Sequence, residues 1–274
     1  MDFNLALYLE NKILTYLTSI PSAPQKISDA INLAKENKLS EAAQLIDTDP
    51  ALKAYLLNKA ASPAFSFIDK PKNVSHALSL FGAPLSVAML ENYLLEALTP
   101  KKWKVFKLTT ERYHHFQTNL IASWQLILDK TCKIRAKNYI SAAALLGASI
   151  AVCEAILADR VEETSILESQ GLRYNDILTR LGGMSLYQVA AKIGKLLNFD
   201  SEALSLVILA ENPPLKAVNE SDKLAKLLHL LLFYKFSEPF AIEAGLDDFA
   251  SCSIEAVSDE LENFMTLIGA DFEN

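Results

Sequence analysis

Few side chains in this chain of 274 residues could bind a metal ion or attack a substrate, because it has only four histidines and three cysteines. Cys132, Cys153 and Cys252 are far apart and form no C-x-x-C pair, so we expect unreactive thiols in a reducing compartment. His114 and His115 are adjacent, and adjacent side chains on a helix point about 100° apart. They cannot chelate one ion together, and we expect structural or surface roles for them.

The paired acids Asp47 and Asp49 have the side-chain type needed for acid–base catalysis. They flank a predicted helix start at Pro50, where carboxylates accept hydrogen bonds from unpaired backbone N–H groups, and we interpret them as capping residues. The sequence contains no G-x-S-x-G, P-loop or H-E-x-x-H motif, and Gly182-Gly183 is too isolated to hold phosphates. No catalytic set and no cofactor are therefore predicted.

Net charge excludes one class of partner. A net charge of -7 removes the electrostatic attraction that supplies most non-specific affinity for nucleic acids. Nucleic-acid binding is therefore not expected. One basic cluster surrounds Trp103 and Phe106, and we interpret it as the solvated start of a helix. Its members are Lys101, Lys102, Lys104 and Lys107.

Neither of the most apolar segments is predicted to cross a membrane. The segment from Ile140 to Leu157 carries Glu154, and the segment from Leu224 to Phe233 is about half the roughly 20 residues that a bilayer crossing requires. The N-terminus begins Met1-Asp2 and lacks the positively charged start of a signal peptide. We therefore expect a cytoplasmic protein without a membrane partner.

Apolar residues recur at helical spacing throughout the chain, and no stretch shows the two-residue alternation of a half-buried strand. We predict helices at about 5–17, 25–36, 40–46, 51–60, 74–82, 84–98, 103–131, 139–157, 172–177, 185–198, 201–210, 221–236, 239–247 and 254–268. The helix over 103–131 is predicted to be the longest. The helix over 139–157 is apolar nearly all round, which indicates a core position.

The chain divides mildly after Leu98-Thr99-Pro100, where short helices give way to longer ones. Residues 1–100 are therefore predicted to form an N-terminal helical subdomain, and residues 101–274 a second one. No Gly/Ser linker separates them, so we expect them to pack as one rigid unit.

Four short motifs between residues 20 and 82 resemble, in order and spacing, those of the HDOD family. They are Ile20-Pro21-Ser22-x-Pro24, Ile46-x-Thr48-Asp49-Pro50-Ala51-Leu52, Ala60-x-Ser62-Pro63-Ala64-Phe65 and Val74-x-His76-Ala77-x-x-x-Phe81-Gly82. Two departures are Ala61, where many members carry Asn, and Phe81, where Leu is usual. The resemblance spans about residues 18–240. It implies an all-α, multi-helical HDOD/HD-like bundle, with short N-terminal helices packed on a longer-helix C-terminal part.

The family is related to the HD phosphohydrolases, in which His and Asp side chains hold divalent metals that activate water. The resemblance places Ile150 and Ala151 at the position of the His-Asp pair. It also places Leu186 and Ala210 where related enzymes carry further histidines. None of these four side chains can bind a metal, so we expect a degenerate site without catalysis.

Three functions follow from the resemblance. The favoured one is a bacterial signal-transduction module that binds a partner protein or a small signalling effector. The second is a metal-dependent phosphohydrolase with a rearranged site built from the residual cleft residues His115, Glu211 and His229. The third is a cyclic-dinucleotide sensor whose phosphates would be bound by arginines, which are Arg112, Arg135, Arg160, Arg173 and Arg180.

Overall fold

The computed structural model describes residues 11–15, 24–61, 70–131 and 139–269, and every regular element in those ranges is a helix. The all-α prediction is therefore confirmed. Of the predicted helix over 5–17, residues 11–15 are described and are helical. Cys132, Arg135 and much of the first and third family motifs lie outside the described residues.

The described helices follow one another with short connections. In chain order they are α1 (Pro24–Lys35), α2 (Leu39–Asp47), α3 (Pro50–Ala60), α4 (Val74–Glu96), α5 (Thr110–Thr131), α6 (Ser141–Ala158), α7 (Val161–Ser169), α8 (Tyr174–Gly182), α9 (Leu186–Leu196), α10 (Ser201–Glu211), α11 (Glu220–Phe236), α12 (Pro239–Ala244), a 3₁₀ helix (Leu246–Phe249), α13 (Ile254–Val257), a second 3₁₀ helix (Ser258–Glu260) and α14 (Leu261–Ile268).

The chain separates into two compact units, one of residues 15–98 and one of residues 99 onwards together with the N-terminal segment up to residue 14. In the first unit α1, α2 and α3 pack against α4. Its core consists of aliphatic side chains with no exposed surface, among them Ile27, Ile46, Leu56, Leu78 and Leu94. The rigid packing of the two parts stays a prediction.

Helix α4 bends at Gly82, whose φ of 70° and ψ of 169° are not helical. A positive φ is readily adopted only by glycine. The sequence-based expectation of one helix ending at Gly82 and another beginning near Pro84 therefore matches the backbone geometry, since Val74–Ala83 and Leu85–Glu96 are bent by 110°.

Helix α6 is the centre of the second unit, as its apolar sequence predicts. It packs against α5, α9 and α10, and Leu145, Ile150 and Ala151 on it have no exposed surface. Among the described helices, α6 is long and apolar enough to span a membrane. The bent pair Val74–Ala83 and Leu85–Glu96 would be a second candidate if it formed one span. However, 83% of α6 is buried inside the protein. Such burial is typical of a core helix.

Side-chain caps start several of the helices at the predicted residues. The Asp49 carboxylate accepts hydrogen bonds from the backbone N–H groups of Ala51 and Leu52, which confirms its interpretation as a cap. Ser185 and Gln188 form a reciprocal capping box at α9. Asp200 caps α10 by accepting from the N–H of Glu202. These contacts fix where α9 and α10 begin, and both helices contribute to the candidate site.

The predicted start of α5 at Trp103 is wrong, because this helix begins at Thr110. Residues 101–107 form a non-helical segment, so the lysine cluster is not the start of a helix. The cause is Glu154 on α6, which is fully buried. Its carboxylate accepts from the N–H groups of Lys104 (2.5 Å), Val105 (3.1 and 3.2 Å) and Phe106 (2.9 Å), satisfying backbone donors that a helix would otherwise use.

Two other parts of the chain also depart from the predicted helices. The segment over 254–268 is not one helix, since α13 and α14 are separated by the 3₁₀ turn Ser258–Glu260. The Asp259 carboxylate in this turn pairs with Lys226, which holds the turn against α11. Helix α7 was not predicted, and it is short and largely exposed.

Candidate functional site

Three of the positions singled out from the sequence lie on the neighbouring helices α9, α10 and α11, where His229 bonds to Ala210 and stacks on Tyr187, the residue after Leu186. Leu186 begins α9, Ala210 is close to the end of α10, and His229 lies in the middle of α11. Helix α10 packs against both α9 and α11. Leu186 is 1% exposed and Ala210 is not exposed, so this region is a packed core rather than an open cleft.

Both ring nitrogens of His229 are hydrogen-bonded to the backbone. Nδ1 lies 2.8 Å from the carbonyl oxygen of Ala210, and Nε2 accepts from the N–H of Ser253 at 3.2 Å. This pattern defines a neutral imidazole that donates from Nδ1 and accepts at Nε2. Neither nitrogen has a lone pair left for a metal ion, so His229 is a hydrogen-bonded core histidine.

Tyr187 and Glu211 complete the surroundings of His229. The Tyr187 ring stacks on the His229 ring, with 6.4 Å between centroids and an interplanar angle of 14°. Burial raises the pKa of the Tyr187 hydroxyl, and the nearby Glu211 carboxylate raises it further. Tyr187 is therefore a neutral packing group here, not a base.

Burial lowers the pKa of His229 below its ordinary value of 6.5, although the hydrogen bond to Ala210 opposes this effect. Between the lowered pKa and 6.5 the unfolded chain binds more protons than the folded one, so stability rises with pH there. We expect the His229 contribution to be fully present above pH 6.5 and to be lost progressively as the pH falls below it.

Urea unfolding followed by circular dichroism from about pH 5 to pH 8 measures this contribution. In a His229→Gln variant the part of the pH dependence due to His229 should disappear. Equal slopes in the wild type and the His229→Gln variant would contradict the prediction.

His115 is not part of this cluster. It is exposed on α5, and its Nδ1 lies 3.2 Å from the Asn119 amide nitrogen. Across the ranges that the structure describes, no three His, Cys, Asp or Glu side chains are grouped so that they could hold a metal ion. The structure thus brings Glu211 and His229 to the same region but leaves His115 apart from them.

Three of the arginines considered for phosphate binding already have protein partners. Arg112 pairs with Glu243 at 2.8 Å, Arg160 bonds to Glu163 and to the Leu181 carbonyl, and Arg173 donates to the Ala250 carbonyl. Arg180 is exposed on α8, and Arg135 lies outside the described residues. No cluster of arginines ready for a dinucleotide is formed by those that the structure describes.

A surface cavity of about 400 Å³ lies beside His229. One wall comes from the turn after α10 and the other from the segment that leads into α13, and Ser253 in the second wall is the donor to His229. The lining residues are Asn212, Pro213, Leu215, Cys252, Ser253, Ile254, Glu255 and Ala256. Asn212 and Ser253 connect this cavity to the candidate site, because Asn212 follows Glu211 and Ser253 bonds to His229.

Lys226 is a site residue that the sequence analysis missed. Its side chain is fully buried, and its ammonium group donates to the Leu215 carbonyl at 3.1 Å and to both Asp259 oxygens at 2.8 and 2.7 Å. Lys226 and His229 lie three residues apart on α11 and so face the same side. The sequence signal that could have identified Lys226 is its three-residue spacing from His229 within an apolar helix.

The family model described as HDOD domain matches residues 17–213. The chain belongs to the HDOD family. No curated protein matches the chain.

Solved structures share the HDOD fold across nearly the whole chain. An HDOD domain protein with unknown function from Geobacter sulfurreducens is 14% identical, with a TM-score of 0.59 and 98% of each chain covered. A protein from Shewanella amazonensis SB2B described as "Putative phosphohydrolase" is 16% identical, with a TM-score of 0.59, 94% of this chain and 88% of that chain covered. At these identities the likeness concerns the fold alone.

At the four positions that the resemblance assigns to metal ligands, the structure places side chains that cannot bind a divalent ion. Ile150 and Ala151 are apolar and fully buried on α6. Leu186 and Ala210 are also apolar and buried, and both nitrogens of His229 are bonded to the backbone. A divalent site requires several converging ligands with available lone pairs.

Proposed function

We propose that this HDOD protein is a signal-transduction module that acts by binding a partner protein or effector and does not hydrolyse phosphate esters. The observation that carries the proposal is the hydrogen bonding of His229. Its ring nitrogens bond to the backbone at Ala210 and Ser253. In an enzyme this side chain would have to bind a metal ion, whereas in this protein it stabilises the walls of a surface cavity.

The apolar side chains at the positions that the resemblance assigns to metal ligands support the same proposal. Metal-activated hydrolysis requires a water-accessible ion held by charged or imidazole ligands. The positions of Ile150 and Ala151 instead contribute to the close-packed core of α6. A binding module needs only a stable surface, which these packed helices provide.

Elemental analysis of the protein, purified without chelators, tests the proposal together with hydrolysis of bis(4-nitrophenyl) phosphate in added Mg²⁺ or Mn²⁺. We expect substoichiometric metal and no turnover above that of the buffer. His115→Ala and His114→Ala should be indistinguishable from the wild type in both measurements, because the two histidines lie on α5 away from any group of ligands.

The opposite result has a specific form. About one metal ion per chain, with turnover that His115→Ala abolishes and His114→Ala preserves, would identify a metal-dependent enzyme. The adjacent histidine is the matched control, because it has the same chemistry on the same helix.

A further inference from the structure

The cavity beside His229 presents an aliphatic lining to solvent. Leu215 is 70% exposed and Ile254 is 72% exposed, and both line it. Pro213 and Ala256, which are buried, also line it. Single exposed aliphatic residues are common on protein surfaces, but two that line one concave surface form a place where an apolar side chain of another molecule can be buried.

The charge around this cavity is negative. Glu255 lines it and has no ion-pair or hydrogen-bond partner among the residues that the structure describes. Glu211, which precedes the lining residue Asn212, likewise has no ion pair within those residues. The charge of Lys226 is matched by Asp259 behind the walls. Glu211 and Lys216 each lie next to a lining residue without lining the cavity themselves, so Glu255 is the charged residue of the lining. A cation is therefore the complementary charge.

The two walls are held in place before anything binds. His229 holds Ala210 and Ser253, while Lys226 holds Leu215 and Asp259. Each of these two α11 side chains thus bonds to the chain on both sides of the cavity. A preformed site avoids the entropic cost of ordering its walls during association.

We propose that this cavity docks a segment of a partner protein in which a large aliphatic side chain stands next to a lysine or arginine. The aliphatic group packs against Leu215 and Ile254, and the cation pairs with Glu255. The inference rests on the proposed binding function and specifies the surface and the chemistry of the partner. The negative charge of Glu255 disfavours a nucleic acid in the same place.

Selection from a random 12-residue peptide library displayed on phage tests this proposal, with the full-length protein as the target. The double variant Ile254→Ser/Glu255→Lys serves as the counter-target. We expect enriched peptides to share an aliphatic residue adjacent to Lys or Arg. The best peptide is then synthesised with a fluorescein label and titrated by fluorescence anisotropy.

Glu255→Lys should weaken binding of this peptide about tenfold or more, and Ile254→Ser about fivefold, as for a charged contact and an apolar anchor. The matched control is Ile166→Ser/Glu162→Lys on α7, which makes the same two changes at exposed positions and should leave binding unchanged. A peptide with its Lys or Arg replaced by Glu should regain affinity for the Glu255→Lys protein.

Two outcomes would overturn the proposal. One is that no peptide is enriched over the double variant, or that the enriched peptides lack a basic residue. The other is that the titrated peptide binds the double variant as tightly as the wild type. These outcomes are independent of metal content and turnover, so the docking site can fail while the non-catalytic function stands.

Discussion

Replacement of Glu154 by leucine is expected to lower the free energy of unfolding by about 3–5 kcal/mol, because three backbone N–H groups lose a shared, charged acceptor. The carboxylate is fully buried and bonded to Lys104, Val105 and Phe106. Leucine fills a similar volume but accepts no hydrogen bond. Urea unfolding followed by circular dichroism measures the loss.

Two further variants separate the hydrogen bonds from simple packing. Glu154→Gln keeps one acceptor oxygen and should cost less, about 1–2 kcal/mol. Glu162→Gln, an exposed glutamate on α7, should change stability by at most about 0.5 kcal/mol. If Glu154→Leu lowers the free energy of unfolding no more than Glu162→Gln does, Glu154 on α6 does not anchor the segment of residues 101–107.

Replacement of Trp124 by alanine is expected to cost about 3–5 kcal/mol, since it empties a large volume in the core. Trp124 on α5 has no exposed surface, and its indole N–H donates to the Tyr139 carbonyl at 2.8 Å. That bond ties α5 to the residues just before α6, the helix that carries Ile150 and Ala151. Thermal and urea unfolding of the purified variant provide the measurement.

The matched control lies on the same helix. Leu126 is 41% exposed, and Leu126→Ala should cost less than about 1 kcal/mol because little buried surface is lost. Trp124→Phe retains most of the ring volume but leaves the Tyr139 carbonyl without its donor, so an intermediate loss of about 1–3 kcal/mol is expected. A Trp124→Ala protein as stable as Leu126→Ala would contradict the packing described for α5.

Much of the fold could be predicted from local sequence. Helical periodicity and caps such as Asp49 and Ser185 act within one turn of the chain, so they identify helices from neighbouring residues alone. The start of α5 could not be predicted in this way. It depends on Glu154, which lies about 50 residues further along the sequence and bonds to the segment only in the folded protein.

The candidate site was predictable only in part, for the same reason. The apolar residues Ile150, Ala151, Leu186 and Ala210 could be named in advance, because the family resemblance implies which positions would carry ligands. The role of Lys226 does not, because a lysine is expected at the surface unless a buried partner is known. Its partners Leu215 and Asp259 lie on opposite sides of it in the sequence, and only the tertiary structure brings them together.

The hydrogen bonds of His229 also bear on the creation of a metal site at these positions by substitution. A His or Asp introduced at Ile150 or Ala151 would enter a core with no exposed surface and would cost several kcal/mol in desolvation. Recruiting His229 as a ligand would break its bonds to Ala210 or Ser253 and loosen the cavity walls. Each single substitution towards metal binding is therefore unfavourable by itself, so a metal site can arise here only through several changes made together.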